Sequence, residues 1–170
     1  MKKNLLSLAV AAGAAGITGL ASAQMYVNTE NTGEALVFPL YSTQGGNDTL
    51  ISIANTTGDT KAVKVRIIEG QTSQETLDFN LYMSPQDHFS FAITADGDGA
   101  KLVTNDTSCT VPAIDGEQAF TDLLWAVDGA VGTAEGREQV GYIEVIEMGQ
   151  IDNLSQQGSD ILHAAAGATK

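Results

Sequence analysis

One cysteine, Cys109, and two histidines, His88 and His163, are all that the 170 residues offer of the side chains that most often hold zinc. Three scattered ligands cannot complete a tetrahedral site, so zinc in its standard forms is excluded. The same shortage limits nucleophilic catalysis, because a Ser-His-Asp hydrolase needs an imidazole oriented by a carboxylate. His88 follows Asp87 at the start of a strand, which turns it to solvent or to a turn carbonyl, and His163 lies in the C-terminal tail. Neither Gly-x-Ser-x-Gly, nor a Gly-rich phosphate loop, nor His-Glu-x-x-His occurs. The chain is expected not to be an enzyme, and a secreted hydrolase ranks last among its functional classes.

Positive charge is equally scarce. Eight lysines and arginines stand against 21 acids. Two of the eight, Lys2 and Lys3, precede an apolar run from Leu5 to Leu20, and Ala21-Ser22-Ala23 supplies small residues before Gln24. That pattern reads as a secretory signal peptide over residues 1–23, and no cysteine follows the cleavage point as a lipoprotein would require. The remaining chain carries six cations against 21 acids, a net charge of −15. Such a surface repels phosphate backbones and anionic lipids, so nucleic acid and bare membrane are not the expected partners. No further apolar run is long enough for a transmembrane span once the signal is removed. The expected address is across the inner membrane: periplasm, outer surface or secreted.

What the sequence has in quantity is alternation. Val63, Val65 and Ile67 share one face while Lys64 and Arg66 take the other; Leu77, Phe79, Leu81 and Met83 alternate with Asp78, Asn80 and Tyr82. A period of 2 means strands with one buried face. Thr49–Ala54 and His88–Thr94 follow the same rule, with Ile51, Ile53, Phe89, Phe91 and Ile93 inward. Turn residues separate them at Thr57-Gly58-Asp59, Gly70-Gln71-Thr72-Ser73 and Ser84-Pro85-Gln86-Asp87. Leu36, Phe38 and Leu40 also alternate, but Pro39 cannot donate to a ladder, which assigns that segment to a sheet edge. Ala100–Thr104 is a short strand, and Gln139–Met148, apolar on both faces, is a central one. Glu144 and Glu147 fall on opposite faces of it. The fold class is mainly β: an immunoglobulin-like antiparallel β-sandwich over residues 24–149, with one or two short helices in the C-terminal third.

The helices are expected at two places. Asp115 with Gln118 reads as a capping box ahead of Phe120, Leu123, Leu124 and Val127, although Leu123–Val127 also suits a strand. Asp128–Glu138, with three glycines, reads as an exposed loop. Residues 150–170 form a weakly structured or helical tail in which Ser159 caps a turn through Ile161, Leu162 and Ala164, leading into a further C-terminal part. A single cysteine in a chain routed to an oxidising compartment suggests that Cys109 pairs with a partner outside this chain; a buried free thiol is the other reading.

The runs Asn47–Thr57, Ala62–Arg66, Leu77–Pro85, Asn105–Pro112 and Gly141–Gly149 together resemble a group of uncharacterised exported proteins of Gram-negative bacteria. The resemblance covers about residues 34–149. It implies longer members with a further cysteine downstream and no established activity. The Asn-Thr-Thr, strand, turn, strand, Ser-Pro rhythm is also similar to immunoglobulin-like accessory domains of surface proteins, by analogy of fold.

Ligand candidates are few. Asp96 and Asp98 sit on a tight glycine turn, and Asp106 could fold back on them through a hairpin, giving calcium three hard oxygen ligands. An ordinary β-turn explains Asp-Gly-Asp-Gly equally without a metal. Sugar sites in sandwiches use exposed aromatics, yet aromatics make up only 6% of the chain. Alternation turns most of Phe38, Phe79, Phe89 and Phe91 inward, and Tyr41, Tyr82 and Trp125 are the remaining candidates for an exposed site. Asn-x-Ser/Thr triplets begin at Asn47, Asn55, Asn105 and Asn153; in a bacterium their amides serve turns. Two functional classes follow: a structural or adhesive module of the envelope or cell surface, meeting a protein or surface glycan, and a carbohydrate- or small-solute-binding module assisted by calcium.

Overall fold

The computed structural model describes residues 28–29, 32–123 and 136–162. The expected signal segment, Trp125 and His163 therefore lie outside the described residues. In the unit Met1–Thr32, Asn28 Nδ2 donates to Thr32 Oγ1 at 2.7 Å. The unit that begins at Gly33 is mainly β. Its strands are β1 (Ala35–Ser42), β2 (Thr49–Ala54), β3 (Thr60–Glu69), β4 (Glu75–Met83), β5 (His88–Asp96), β6 (Gly99–Val103), β7 (Cys109–Val111), β8 (Glu117–Ala119) and β9 (Val140–Ile151). Five of them form one sheet in the order β1-β9-β3-β4-β7, and four form a second in the order β2-β5-β6-β8. Every pairing is antiparallel.

The two sheets pack face to face because each strand turns one apolar side inward. Val63, Val65, Ile67, Phe79, Leu81, Ile143 and Val145 of the first sheet meet Ile51, Ile53, Phe89, Phe91, Ile93 and Leu102 of the second. Phe89 sits edge-on to Phe79 of the first sheet at 6.0 Å between ring centres, which joins the sheets, and tilts against Phe91 of its own strand at 5.7 Å. β9 lies between β1 and β3, so its outward residues are flanked on both sides; Tyr142 is half-buried and Ile146 is 38% exposed.

Pro39 lies on an edge strand, as its missing N–H requires. The expected alternation of β1 fails beyond it. The register with β9 slips between Phe38 and Tyr41, and a slip of one residue exchanges the two faces. Leu40, expected inside, is 63% exposed, and Tyr41, expected outside, is fully buried.

The helix expected from Asp115 does not form over residues 115–123. Asp115 bridges to Glu117, Gly116 takes a left-handed φ of 81°, and Glu117–Ala119 pairs with β6 as β8. Phe120 then donates its N–H to Ala100 O at 3.0 Å and packs edge-on against Tyr41. Leu123, which an amphipathic helix would have covered, is 74% exposed. The residues from Leu124 to Val127 lie outside the described part. The short C-terminal helix runs Gln156–Ile161, and its cap is Ser155 rather than Ser159, with Gly158 N–H donating to Ser155 Oγ at 3.0 Å. Among the described residues no helix is long and apolar enough to cross a membrane.

Candidate functional site

One end of the sandwich collects buried charge. Alternation carries β3 past Val63, Val65 and Ile67 to Glu69, which therefore points inward and is wholly buried. The β3–β4 loop curls around this carboxylate. Glu69 Oε1 accepts the N–H of Thr72 (2.8 Å), the N–H of Gln74 (3.1 Å) and the Thr72 hydroxyl (2.9 Å), and Oε2 accepts the N–H of Gln71 (2.7 Å). Arg137 completes the set: its Nη2 lies 3.0 Å from Oε1 and its Nε 3.4 Å from Oε2. Burial acts to raise the Glu69 pKa, but Arg137 and the three loop N–H groups outweigh it, and the carboxyl titrates at about 2.

Arg137 and Glu138 belong to a 3-10 turn, Arg137–Gln139, entered through Gly136 at a left-handed φ of 81°. The expectation of an exposed loop ending at Glu138 is corrected here, since Arg137 and Glu138 are only 4% and 7% exposed. Consecutive side chains of this turn diverge to different sheets. Arg137 reaches Glu69 of the first, and Glu138 Oε2 accepts the N–H of Ala100 in the second at 2.9 Å. A Cβ at Gly99 would press on the Glu138 carboxylate and force it to shift from this position. The turn is a clasp across the open end of the sandwich.

Tyr41 and Thr43, brought inward by the β1 slip, lie under the same clasp. The Tyr41 ring lies over Gly141, whose missing Cβ would stand 2.7 Å from it. Burial pushes the Tyr41 hydroxyl up in pKa, with Glu138 and Glu69 adding to the effect against the hydroxyl of Thr76 beside it. Among the described residues, neither Tyr41 Oη nor Thr43 Oγ1 finds a partner in a well-formed hydrogen bond. Burial also raises the pKa of Glu138; the Ala100 N–H opposes this, and the carboxylates of Asp122 and Asp96 reinforce it. A carboxyl raised in the folded state stabilises fully below its unfolded value of 4.5 and loses that contribution as the pH climbs through the folded value. Glu138→Gln keeps an acceptor for Ala100 and removes the buried charge. It is expected to raise the urea midpoint at pH 8, with the gain fading toward pH 4; an equal gain at both pH values would separate it from titration.

The opposite end is tied by amides. Asn55, 6% exposed, donates to Asp59 O (2.7 Å) and Ser84 O (2.8 Å) and accepts from the Thr57 N–H and hydroxyl. Asn153 Oδ1 accepts from the Thr60 N–H (3.0 Å) and hydroxyl (2.6 Å), while its Nδ2 donates to Gly58 O at 3.1 Å. Back at the clasp end, in the turn between β1 and β2, Asn47 Nδ2 donates to Gln44 O at 2.7 Å. Three of the four Asn-x-Ser/Thr triplets thus use their amides to hold turns.

The calcium candidates are not brought together. Asp96 and Asp98 are exposed on the β5–β6 turn. Asp106 folds instead against Ser90, six residues back along β5 from Asp96, which is about 20 Å. There its Oδ1 accepts the N–H and hydroxyl of Ser108 at 2.9 and 2.6 Å, shaping the β6–β7 loop. Calcium at a hundred times its dissociation constant would add about 2.7 kcal/mol, a melting shift of several degrees for a domain of this size. No shift of that size is expected in thermal melts with millimolar calcium; one that Asp98→Ala and EDTA abolish would establish a site.

Of the aromatic candidates, Tyr41 is corrected to a core residue and Trp125 lies outside the described residues. Tyr82 is half-buried on the outer face of the first sheet, opposite Ala62 and Cys109. Cys109 is exposed at the head of edge strand β7, so the reading of a buried free thiol does not hold. His88 is exposed at the start of β5. The outer face of the second sheet carries a shallow groove bordered by Leu50, Ser52, Ser90, Ala92, Val103 and Asp106; the one ring along it, Phe91, is buried inward.

All five lysines and arginines among the described residues are ion-paired. Lys61 meets Glu147, Lys64 meets Asp78, Arg66 bridges Glu75 and Glu144, Lys101 meets Glu117, and Arg137 meets Glu69. The acids left over dominate the surface potential. Comparison with known proteins finds no matching family model, no matching curated protein and no matching solved structure.

Proposed function

We propose that the chain is an exported structural or adhesive module of a bacterial envelope or cell surface, meeting its partners through edges and loops rather than by catalysis. The observation that carries this reading is how the buried polar groups are used. Glu69, Arg137 and Glu138 at one end, and Asn55 and Asn153 at the other, turn inward to fix loops and sheets. A frame held at both ends presents the surface between as a rigid platform, the property that display modules need. An immunoglobulin-like role for the frame belongs to the same proposal. So does the pairing of Cys109, exposed on an edge strand, with a cysteine outside this chain.

Export supports the reading through the sequence alone: Lys2, Lys3, the apolar run and Ala21-Ser22-Ala23. Mass spectrometry of protein from its native host is expected to find Gln24 as the first residue. Retention of Met1 would overturn export and with it the envelope role. The competing carbohydrate reading rests on Tyr82, the one aromatic candidate at the outer surface among the described residues. Affinity electrophoresis through gels containing envelope polysaccharides is expected to show no retardation; retardation that Tyr82→Ala removes would replace the module reading with sugar binding.

A further inference from the structure

Among the described residues, four strands end the two sheets, and three of them are blunted. β1 carries Pro39 and a register slip, β7 has three residues and runs into Pro112, and β8 has three residues. β2 is different. Thr49–Ala54 is regular over six residues, without proline, bulge or charge, and its register with β5 is unbroken. The Asn55 N–H donates to Asp87 O at 2.8 Å in that same register. By alternation the backbone groups of Thr49, Ile51 and Ile53 then face β5, while those of Leu50, Ser52 and Ala54 face the open side. Leu50, on the outer face, is 80% exposed.

We propose that β2 pairs edge to edge with β2 of a second copy of this chain, antiparallel about a two-fold axis at Ser52. This deepens the reading of the chain as an interaction module and rests on it. The strand is self-complementary in that register: Leu50 falls opposite the small Ala54 of the other copy, Ile51 opposite Ile53, and Ser52 opposite itself. Leu50, Ser52 and Ala54 of each copy then exchange both backbone hydrogen bonds, and the second sheet continues through both molecules. Charge does not oppose an identical partner at the contact, because Thr49–Ala54 carries none and so brings no like charges face to face. The two acidic bodies still repel at a distance. Salt screens that repulsion, so dimerisation strengthens with ionic strength, whereas a basic strand from another protein would bind more weakly.

The full chain with Cys109→Ser, which removes the competing thiol, is examined by sedimentation at rising concentration in low and high salt. A reversible dimer favoured by salt is expected, and Leu50→Lys should make it monomeric with an unchanged melting temperature, since Leu50 touches solvent and not the core. Residues directly opposite in such a pair have Cα atoms about 5.5 Å apart, within disulfide reach. Ser52→Cys should therefore cross-link in air, and Ala54→Cys, about 14 Å from its own copy, should not. A monomer under all conditions, a dimer indifferent to Leu50→Lys, or equal cross-linking at the two positions would each overturn the pairing. Those outcomes leave the interaction module standing, while polysaccharide retardation lost in Tyr82→Ala would strike that reading and not the edge.

Discussion

Arg137→Met is expected to remove about 3–5 kcal/mol of folding stability, because it leaves the Glu69 carboxylate buried without its ion-pair partner. Against a total of about 5–15 kcal/mol, that is enough to bring the domain close to unfolding at room temperature. Glu69→Gln should cost a comparable amount by stranding the guanidinium. The double variant should cost less than the two single losses together, since each single change already removes the shared interaction. The pH dependence gives an independent signature. Glu69 has its pKa depressed from 4.5 to about 2. Its stabilisation is therefore complete above about pH 4.5 and disappears as the pH falls from there toward 2. Urea midpoints followed by circular dichroism should show the gap between the parent chain and Glu69→Gln closing over that interval. Equal midpoints at pH 7 would mean that the pair does not close the end of the sandwich.

Leu81→Asp is expected to unfold the domain, and Tyr82→Asp to be mild. Leu81 is fully buried between the sheets, while Tyr82, one residue on, is half-buried on the outer face. Burying an unpaired carboxylate costs several kcal/mol, the scale of the entire stability, whereas an outward aspartate stays hydrated. Urea melts of equal midpoint would place β4 in the other register.

The regular strands were legible because one rule governs them: with one face buried, every second residue must be apolar. That rule located β2 through β5 and kept Val63, Phe79, Phe89 and Phe91 inside. It broke at β1, where a slip beside Pro39 exchanged Leu40 and Tyr41, and slips of this kind depend on a neighbouring strand about 100 residues away. The capping pattern at Asp115 was overruled by pairing with β6, a tertiary gain that local spacing does not register. Glu69 had a readable signal that hydrophobicity obscured, since the alternation of Val63, Val65 and Ile67 already assigned position 69 to the interior. Arg137 had none. Its partner is 68 residues distant, and in sequence it belongs to a glycine-containing polar stretch.

Among the described residues, the strand furthest along the chain is a middle strand of its sheet, and this sets an order of events. β1 and β3 flank β9, and among the described residues no other strand pairs with β1. As the polypeptide emerges from its N-terminus, β1 stays unpaired and β3 keeps one open side until residues 140–151 arrive. At about 5–20 residues per second, the interval after Ser42 lasts roughly 5–20 seconds. The first sheet therefore stays open between β1 and β3 for that period and closes only when β9 inserts between them.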